Sequence, residues 1–385
     1  MEGDFIKINV WLTPFSWLYG MGVGFRNFLF DVGVLKSRSF DVPVISVGNI
    51  TVGGTGKTPH VEYLVRLLKD HFRVAVLSRG YKRKSKGFIM ANKHTTAQDI
   101  GDEPYQMKQK YPDVTIAVDR KRVRGIRKLT ESVPKLDVVL LDDAFQHRYV
   151  KPGINILLVD YHRLIIYDKL LPAGRLREPL RAKNRAEIVI VTKCPKDLKP
   201  MEYRGITKAM ELFAYQQIYF TSLAYGHLQP LYSKREKRSL ESLQDEHVLL
   251  LTGIASPKQM QVDLAPFTPN ITPLTFSDHH HFSQKDISKI NETFATLPSP
   301  KCIITTEKDA ARIVQTQELS DEVKKNLYIL PVKIQFMPEQ QEKFNENIIG
   351  YVRKNSRNSI LAQEKDDNKP KDSHSAGNRS RTISF

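Results

Sequence analysis

Val47–Pro59 reads VGNITVGGTGKTP, and its reading decides the fold. It closes the β-rich run VPVISVGN that begins at Val42, and it opens onto TPHVEYLVRLLKDHF, in which Val61, Leu64, Val65 and Leu68 fall at i, i+3, i+4 and i+7. That is a strand, a glycine loop and an amphipathic helix, with Pro59 in the first turn where a missing N–H costs nothing. The order is what a phosphate-binding loop requires: Gly53, Gly54 and Gly56 let backbone N–H groups converge on phosphate oxygens at the positive end of the helix. Thr51, Val52 and Thr55 complete the nucleotide-binding loop. Lys57 is placed to neutralise the terminal phosphates, and the Thr58 hydroxyl to ligate Mg²⁺. The strict pattern has glycine at position 51, where this chain has Thr51.

Outward from the loop, short apolar runs alternate with helical patterns: RVAVLSRG, VTIAV, LDVVLLDD, INILLVD and AEIVIVTK. Continuous apolar strands separated by helices imply a mostly parallel sheet covered on both faces, an α/β domain of P-loop NTPase type expected over 36–205. HVLLLTGIA, ITPLTFSDH, KCIITTEKDA and LYILPVKIQF supply a second set of strands, expected to form a smaller C-terminal α/β lobe over 206–350. The polar segment 351–385 is expected to be a disordered tail.

The chain has 385 residues, a formal net charge of +17 and only two cysteines, Cys194 and Cys302, which excludes a disulfide scaffold or a cysteine-based zinc site and fits a reducing compartment. The positive charge favours polyanions: nucleic acid, an anionic membrane surface or a phosphorylated substrate. No basic run sits in a nucleic-acid module, so nucleic acid is not expected as a partner. The N-terminus selects the membrane. Between Lys7 and Arg26, INVWLTPFSWLYGMGVGF is uncharged and holds both tryptophans, but Pro14, Gly20, Gly22 and Gly24 interrupt it. Its length and aromatic content suit a segment lying in the interface rather than spanning, so 1–35 is read as membrane-associating.

Asp142 and Asp143 end the run LDVVLLDD, where a strand end beside a phosphate loop holds Mg²⁺ or orients its water; one is expected to serve the metal and the other a neighbouring group. Asp102 in GDEP reads from spacing as a helix N-cap. In DHHHF, adjacent histidines cannot all face one ion, so zinc is not expected. TTEKDA reads as a cap at Thr306 with Asp309 three residues on.

Taken in order, VGNITVGGTGKTP, SRGYKRK, GDEP, LDDAFQH, LLPAGRLREPL, DHHHF and TTEKDA resemble the tetraacyldisaccharide 4′-kinases of lipid A biosynthesis. Thr51 belongs to that family's pattern, whereas Ala144 stands where the family commonly shows glycine. The resemblance implies transfer of the γ-phosphoryl group of ATP, with Mg²⁺, to the 4′-hydroxyl of an acylated glucosamine disaccharide 1-phosphate at the cytoplasmic face of the inner membrane. It makes Asp102 the candidate base, supported by His279 or His280, with Lys57 on the transferred group. It also implies substrate or phosphate contacts from Asn49, Arg79, Tyr81, Glu103, Arg122, Gln146, His147, Arg175 and Arg177. The alternative is a membrane-recruited P-loop ATPase that acts on a partner protein.

Overall fold

The computed structural model describes residues 6, 8–232, 235–254, 257–278, 280, 282–314 and 318–367. In chain order its strands are β1 (Val44–Gly48), β2 (Val74–Ser78), β3 (Ile89–Met90), β4 (Thr115–Val118), β5 (Val138–Asp142), β6 (Ile154–Asp160), β7 (Ile188–Thr192), β8 (Gln217–Tyr225), β9 (Gln229–Pro230), β10 (His247–Thr252), β11 (Ile271–Thr275), β12 (Lys301–Thr306), β13 (Leu327–Leu330) and β14 (Val332–Phe336). The helices are α1 (Thr13–Asp31), α2 (Lys57–Leu68), α3 (Ala97–Ile100), α4 (Asp102–Lys110), α5 (Arg122–Ser132), α6 (Pro200–Met210), α7 (Pro257–Leu264), α8 (Gln284–Thr296), α9 (Glu307–Ile313), α10 (Asp321–Asn326) and α11 (Gln340–Asp367).

The large sheet runs β14-β8-β7-β6-β1-β5-β2-β4-β3, parallel except at its two ends, where β14 and β3 pair antiparallel with β8 and β4. Side chains alternate across β1: Ile45 and Val47 pack on one face with α2 residues Val61, Leu64, Val65 and Leu68, and Val44 packs on the other with Ile126 and Leu129 of α5. The helical stripe read from the sequence is therefore the buried one. Each such side chain contributes roughly 1.5–3 kcal/mol on burial. The chain enters β1 at the centre, moves one way to β2, and later returns past it from β5 to β6. That reversal opens a crevice at the carboxyl end of β1, where a ligand site is expected.

The smaller sheet runs β11-β10-β12-β13-β9, parallel except for β9. The expected boundary near residue 205 does not follow the sheets. β8 continues the large sheet, and the stretch 327–336, read as one strand of the small lobe, divides at Pro331 into β13 in the small sheet and β14 in the large one. Proline has no N–H for a ladder, so the chain changes sheet there, and Pro331 instead accepts at its carbonyl from Gly226 N (2.9 Å) on the opposite crossing strand.

The expectation of a disordered tail from 351 is corrected in part, because α11 continues to Asp367. Phe344, Ile348 and Val352, four residues apart, are fully buried against the large sheet and fix the helix, and NSILAQEKDD contains no proline or glycine to stop it. The rest of that segment lies outside the described residues. Among the described residues, no helix is long and apolar enough to cross a membrane.

Candidate active site

The phosphate loop is built by contacts that reach far along the chain. Gly56 takes φ +81°, a left-handed conformation that turns the chain into α2. Its carbonyl accepts from His60 Nδ1 (2.7 Å), and His60 Nε2 lies 3.2 Å from Thr221 Oγ1. Burial lowers the His60 pKa to about 4, so the ring is neutral, with Nδ1 donating and Nε2 accepting. Asn49 Nδ2 donates to Thr55 Oγ1 (2.8 Å), and Thr192 Oγ1 donates to Thr55 O (3.1 Å), tying the loop to the end of β7.

Thr51 forms an antiparallel bridge with Leu176, flanked by Arg177 N donating to Ile50 O (2.7 Å) and Val52 N to Arg175 O (2.8 Å). Position 51 is thus extended backbone held by GRLREP, which explains why this loop works without glycine there. Arg177 completes the clamp through Nε to Thr51 O (3.0 Å) and Nη2 to Asn49 Oδ1, while Gln146 Nε2 donates to Asn49 O. Asn49, Gln146 and Arg177, expected as substrate or phosphate contacts, thus also brace the loop itself. Arg175, Arg79 and Tyr81 are exposed.

Asp142 sits opposite Val47 in the β1/β5 register. It is buried at 2% exposure, accepts from Ser78 Oγ (3.1 Å), and burial, then Glu103 and Asp143, push its carboxyl up to about 7. Asp143 leaves the strand at φ +46° with its side chain 39% exposed; its Oδ1 lies 3.7 Å from both Lys57 Nζ and Arg177 Nη2 and receives no hydrogen bond. The two carboxylates diverge as expected. An unsatisfied Asp143 oxygen beside a buried acid that resists ionisation suits a divalent cation, with the Thr58 hydroxyl nearby at the head of α2. Among the described residues no group of three or more His, Cys, Asp or Glu could hold a metal by itself.

Arg122 was expected at the substrate, but it is 2% exposed and donates to Asp142 O (3.2 Å) and Asp119 O (3.1 Å), supporting the strand end from below. Burial lowers its pKa to about 10. His147 is lowered to about 4 by burial and then by Arg122, Arg26 and Arg79, and Arg26 of α1 reaches this region with Nη2 on Gln146 O (3.3 Å).

Asp102 is the first residue of α4, and the N-cap is Gly101, which takes φ +92° where a Cβ would meet Tyr81 O at 2.9 Å. The N-cap reading of Asp102 is corrected: the turn into α4 needs a residue without a side chain. Asp102 Oδ2 accepts from Arg312 Nε of α9 (2.9 Å), and Glu103 pairs with Lys308 (3.1 Å), which also lies 3.5 Å from Asp278. Lys110 bridges Glu62 (2.6 Å) and Glu307 (2.8 Å). The smaller lobe is thereby tied over a cleft of about 240 Å³, lined by residues 54–58, Glu103, Lys193, Met260, Asp278 and Lys308. The structure does not bring His280 to Asp102: its Nε2 lies 2.9 Å from Asp286 Oδ2 and its ring stacks on Phe276. His279 lies outside the described residues. Thr306 caps α9 as read, accepting from Asp309 N (3.1 Å). His60, Ser78, Lys308 and Arg312 were missed; His60 adjoins the loop sequence, Ser78 opens SRGYKRK and Lys308 lies within TTEKDA, whereas Arg312 carried no local signal.

A glycine loop at the crevice of a parallel sheet, a lysine leading the helix and two carboxylates ending the next strand define a P-loop phosphotransferase. The family profile described as Tetraacyldisaccharide-1-P 4′-kinase matches residues 8–353. The Tetraacyldisaccharide 4′-kinase of Phocaeicola vulgatus is 60% identical over 93% of this chain and 99% of its own length, and that of Porphyromonas gingivalis W83 is 45% identical over 91% and 99%. The solved structure of LpxK from Aquifex aeolicus in complex with ATP is similar with a TM-score of 0.66, at 33% identity over 89% of this chain and 98% of that one. The chain belongs to the tetraacyldisaccharide 4′-kinase family and is an ATP-dependent kinase of lipid A biosynthesis.

Proposed function

We propose that the chain transfers the γ-phosphoryl group of ATP to the 4′-hydroxyl of a tetraacyldisaccharide 1-phosphate, with Mg²⁺ and at a membrane surface. The observation that carries the site assignment is the placement of Lys57, Asp142 and Asp143 around the loop's exit, with Lys57 Nζ 3.7 Å from Asp143 Oδ1. The loop amides and the α2 N-terminus cradle the phosphates, and Lys57 and Arg177 offset negative charge on the group in transit. Asp142, Asp143 and Thr58 would hold Mg²⁺, which neutralises and orients the β- and γ-phosphates. Asp102 takes the proton of the acceptor hydroxyl as the new O–P bond forms, the bond from the γ-phosphorus to the bridging oxygen breaks, and ADP leaves with that oxygen.

The membrane reading rests on α1, whose amphipathicity is inverted. Phe15, Trp17, Leu18, Met21 and Phe25, with Trp11 in the turn just ahead of the helix, are exposed, from 59% to 92%, whereas Ser16 and Asn27 are 4% exposed and face the protein. An apolar stripe aimed outward from a helix whose polar residues face in suits the interfacial layer of a bilayer. On this reading the enzyme works at the cytoplasmic face, where ATP is supplied.

Incubation with ATP, Mg²⁺ and the lipid disaccharide monophosphate should yield a product heavier by one phosphate. Asp102→Asn keeps shape and removes basicity, so kcat should fall by about 10² to 10⁴ with ATP binding retained. Lipid-independent ATP hydrolysis with no phosphorylated lipid overturns the acceptor assignment, and an Asp102→Asn enzyme within a few-fold of wild type overturns the base.

A further inference from the structure

We propose that Arg312, on the smaller lobe, is a positioning residue that sets the orientation of the Asp102 carboxylate, so that this lobe takes part in the reaction rather than only covering it. The inference rests on the reading of Asp102 as the base. Arg312 Nε donates to Asp102 Oδ2 at 2.9 Å across a sequence separation of 210 residues.

The guanidinium is fixed from behind. Arg312 has a side-chain exposure of 4% and donates through Nη1 to Asp309 Oδ1 (3.2 Å) and Gly253 O (3.5 Å). Asp309 is fully buried and is itself fastened, since its Oδ2 accepts from Gly253 N (2.9 Å) and Thr306 Oγ1 (2.7 Å). The TTEKDA motif therefore does more than cap α9. It aims one edge of a planar donor fork inward and presents Nε to the other lobe, and a charge-assisted bond from a group so constrained fixes the carboxyl plane as well as its charge.

The position of the acceptor makes this more than a tie between lobes. Lys110 to Glu307 and Lys308 to Glu103 already join the lobes beside the cleft, with partners between 21% and 28% exposed. Arg312 alone among these cations is buried, and it engages the candidate base. A buried guanidinium is unfavourable unless every edge is paired, so the network is costly if tethering is its sole role. Asp102 also begins α4, whose N-terminal amides favour a negative charge there. Arg312 adds direction to a carboxylate that stands at the positive end of that helix.

The experiment is a double-substitution cycle in the full-length enzyme with ATP, Mg²⁺ and the lipid acceptor, reading kcat, KM for ATP and Tm. Arg312→Gln should lower kcat by about 10², the effect of misplacing a reacting group by about 1 Å, with KM for ATP within a few-fold of wild type. Arg312→Lys, which keeps the charge but not the fork, should recover part of that loss. In the Asp102→Asn background Arg312→Gln should cost almost nothing further, because both act on one step. Losses that multiply would show that Arg312 acts through the fold, and overturn the proposal. A slow Asp102→Asn beside an Arg312→Gln of normal kcat overturns this inference alone, whereas an active Asp102→Asn removes the base and the inference together. Should Arg312→Gln fail to fold, the cycle is run with Arg312→Lys, and multiplying losses there are equally fatal.

Discussion

Replacing Asp142 by asparagine should abolish catalysis and yet stabilise the nucleotide-free protein above neutral pH. The buried carboxyl titrates at about 7 in the folded protein against an ordinary value of 3.8, because burial, Glu103 and Asp143 all oppose its charge. A group whose folded pKa is raised contributes stability that is present below its unfolded value and lost as pH rises through the folded one. Between about pH 4 and pH 7 the folded protein holds a proton that the unfolded chain has released, so stability declines across that window. A shift of about 3 units at 1.36 kcal/mol each caps the loss at about 4 kcal/mol. Asparagine keeps the shape and an acceptor for Ser78 Oγ without the charge. Denaturant melts of both proteins without nucleotide or metal should therefore coincide below about pH 4, separate progressively between about pH 4 and pH 7 and differ most near pH 8, the variant being the more stable. A variant less stable than wild type at pH 8, or a difference that does not depend on pH, refutes the reasoning.

Lys57→Ala removes the cation aimed at the transferred group, so turnover should fall by roughly 10² or more in a coupled ADP assay, and near-normal turnover would remove Lys57 from the site. Exchanging Trp11, Trp17 and Phe25 together for serine should move the protein from the vesicle pellet to the supernatant and raise KM for lipid more than KM for ATP, with Tm unchanged because all three are exposed. Unchanged sedimentation would place the membrane contact elsewhere, on the basic surface.

The parts of this molecule legible in the sequence are those specified by neighbours along the chain. β1, the loop and α2 announce themselves within 30 residues, because strand, glycine turn and apolar stripe each obey a local rule. Asp142 and Asp143 are legible for the same reason, at the end of an apolar run. The sheet boundary was not, since β8 and β14 carry strand patterns that fit either sheet, and only tertiary packing assigns them. The structural part of Asn49, Gln146 and Arg177 was not legible either: a polar residue near a phosphate loop reads as a ligand contact, and no local pattern reveals that Arg177 also bonds to backbone 126 residues away. Arg312 had no signal at all, being one basic residue on a short helix whose partner lies in the other lobe.

The inverted face of α1 follows from what its polar side is used for. Ser16 Oγ donates to Leu170 O (3.0 Å), Tyr19 OH to Arg177 O (2.9 Å), Arg26 to Gln146 O (3.3 Å) and Asn27 Nδ2 to Glu178 Oε1 (3.4 Å). Two of these acceptors belong to Arg177 and Gln146, whose side chains clamp the phosphate loop at Asn49 and Thr51. The helix that turns its aromatic residues outward is therefore bonded to the scaffold of the nucleotide site, not joined to it by a flexible linker. A helix that spends its hydrogen-bonding residues inward has only apolar side chains left for its outer surface, and these are favourable there only if an apolar phase covers them. If the outward face of α1 meets the membrane as proposed, the same bonds hold that contact and the phosphate loop in one frame, and they would set the height above the membrane at which a lipid acceptor with its acyl chains in the bilayer presents its sugar.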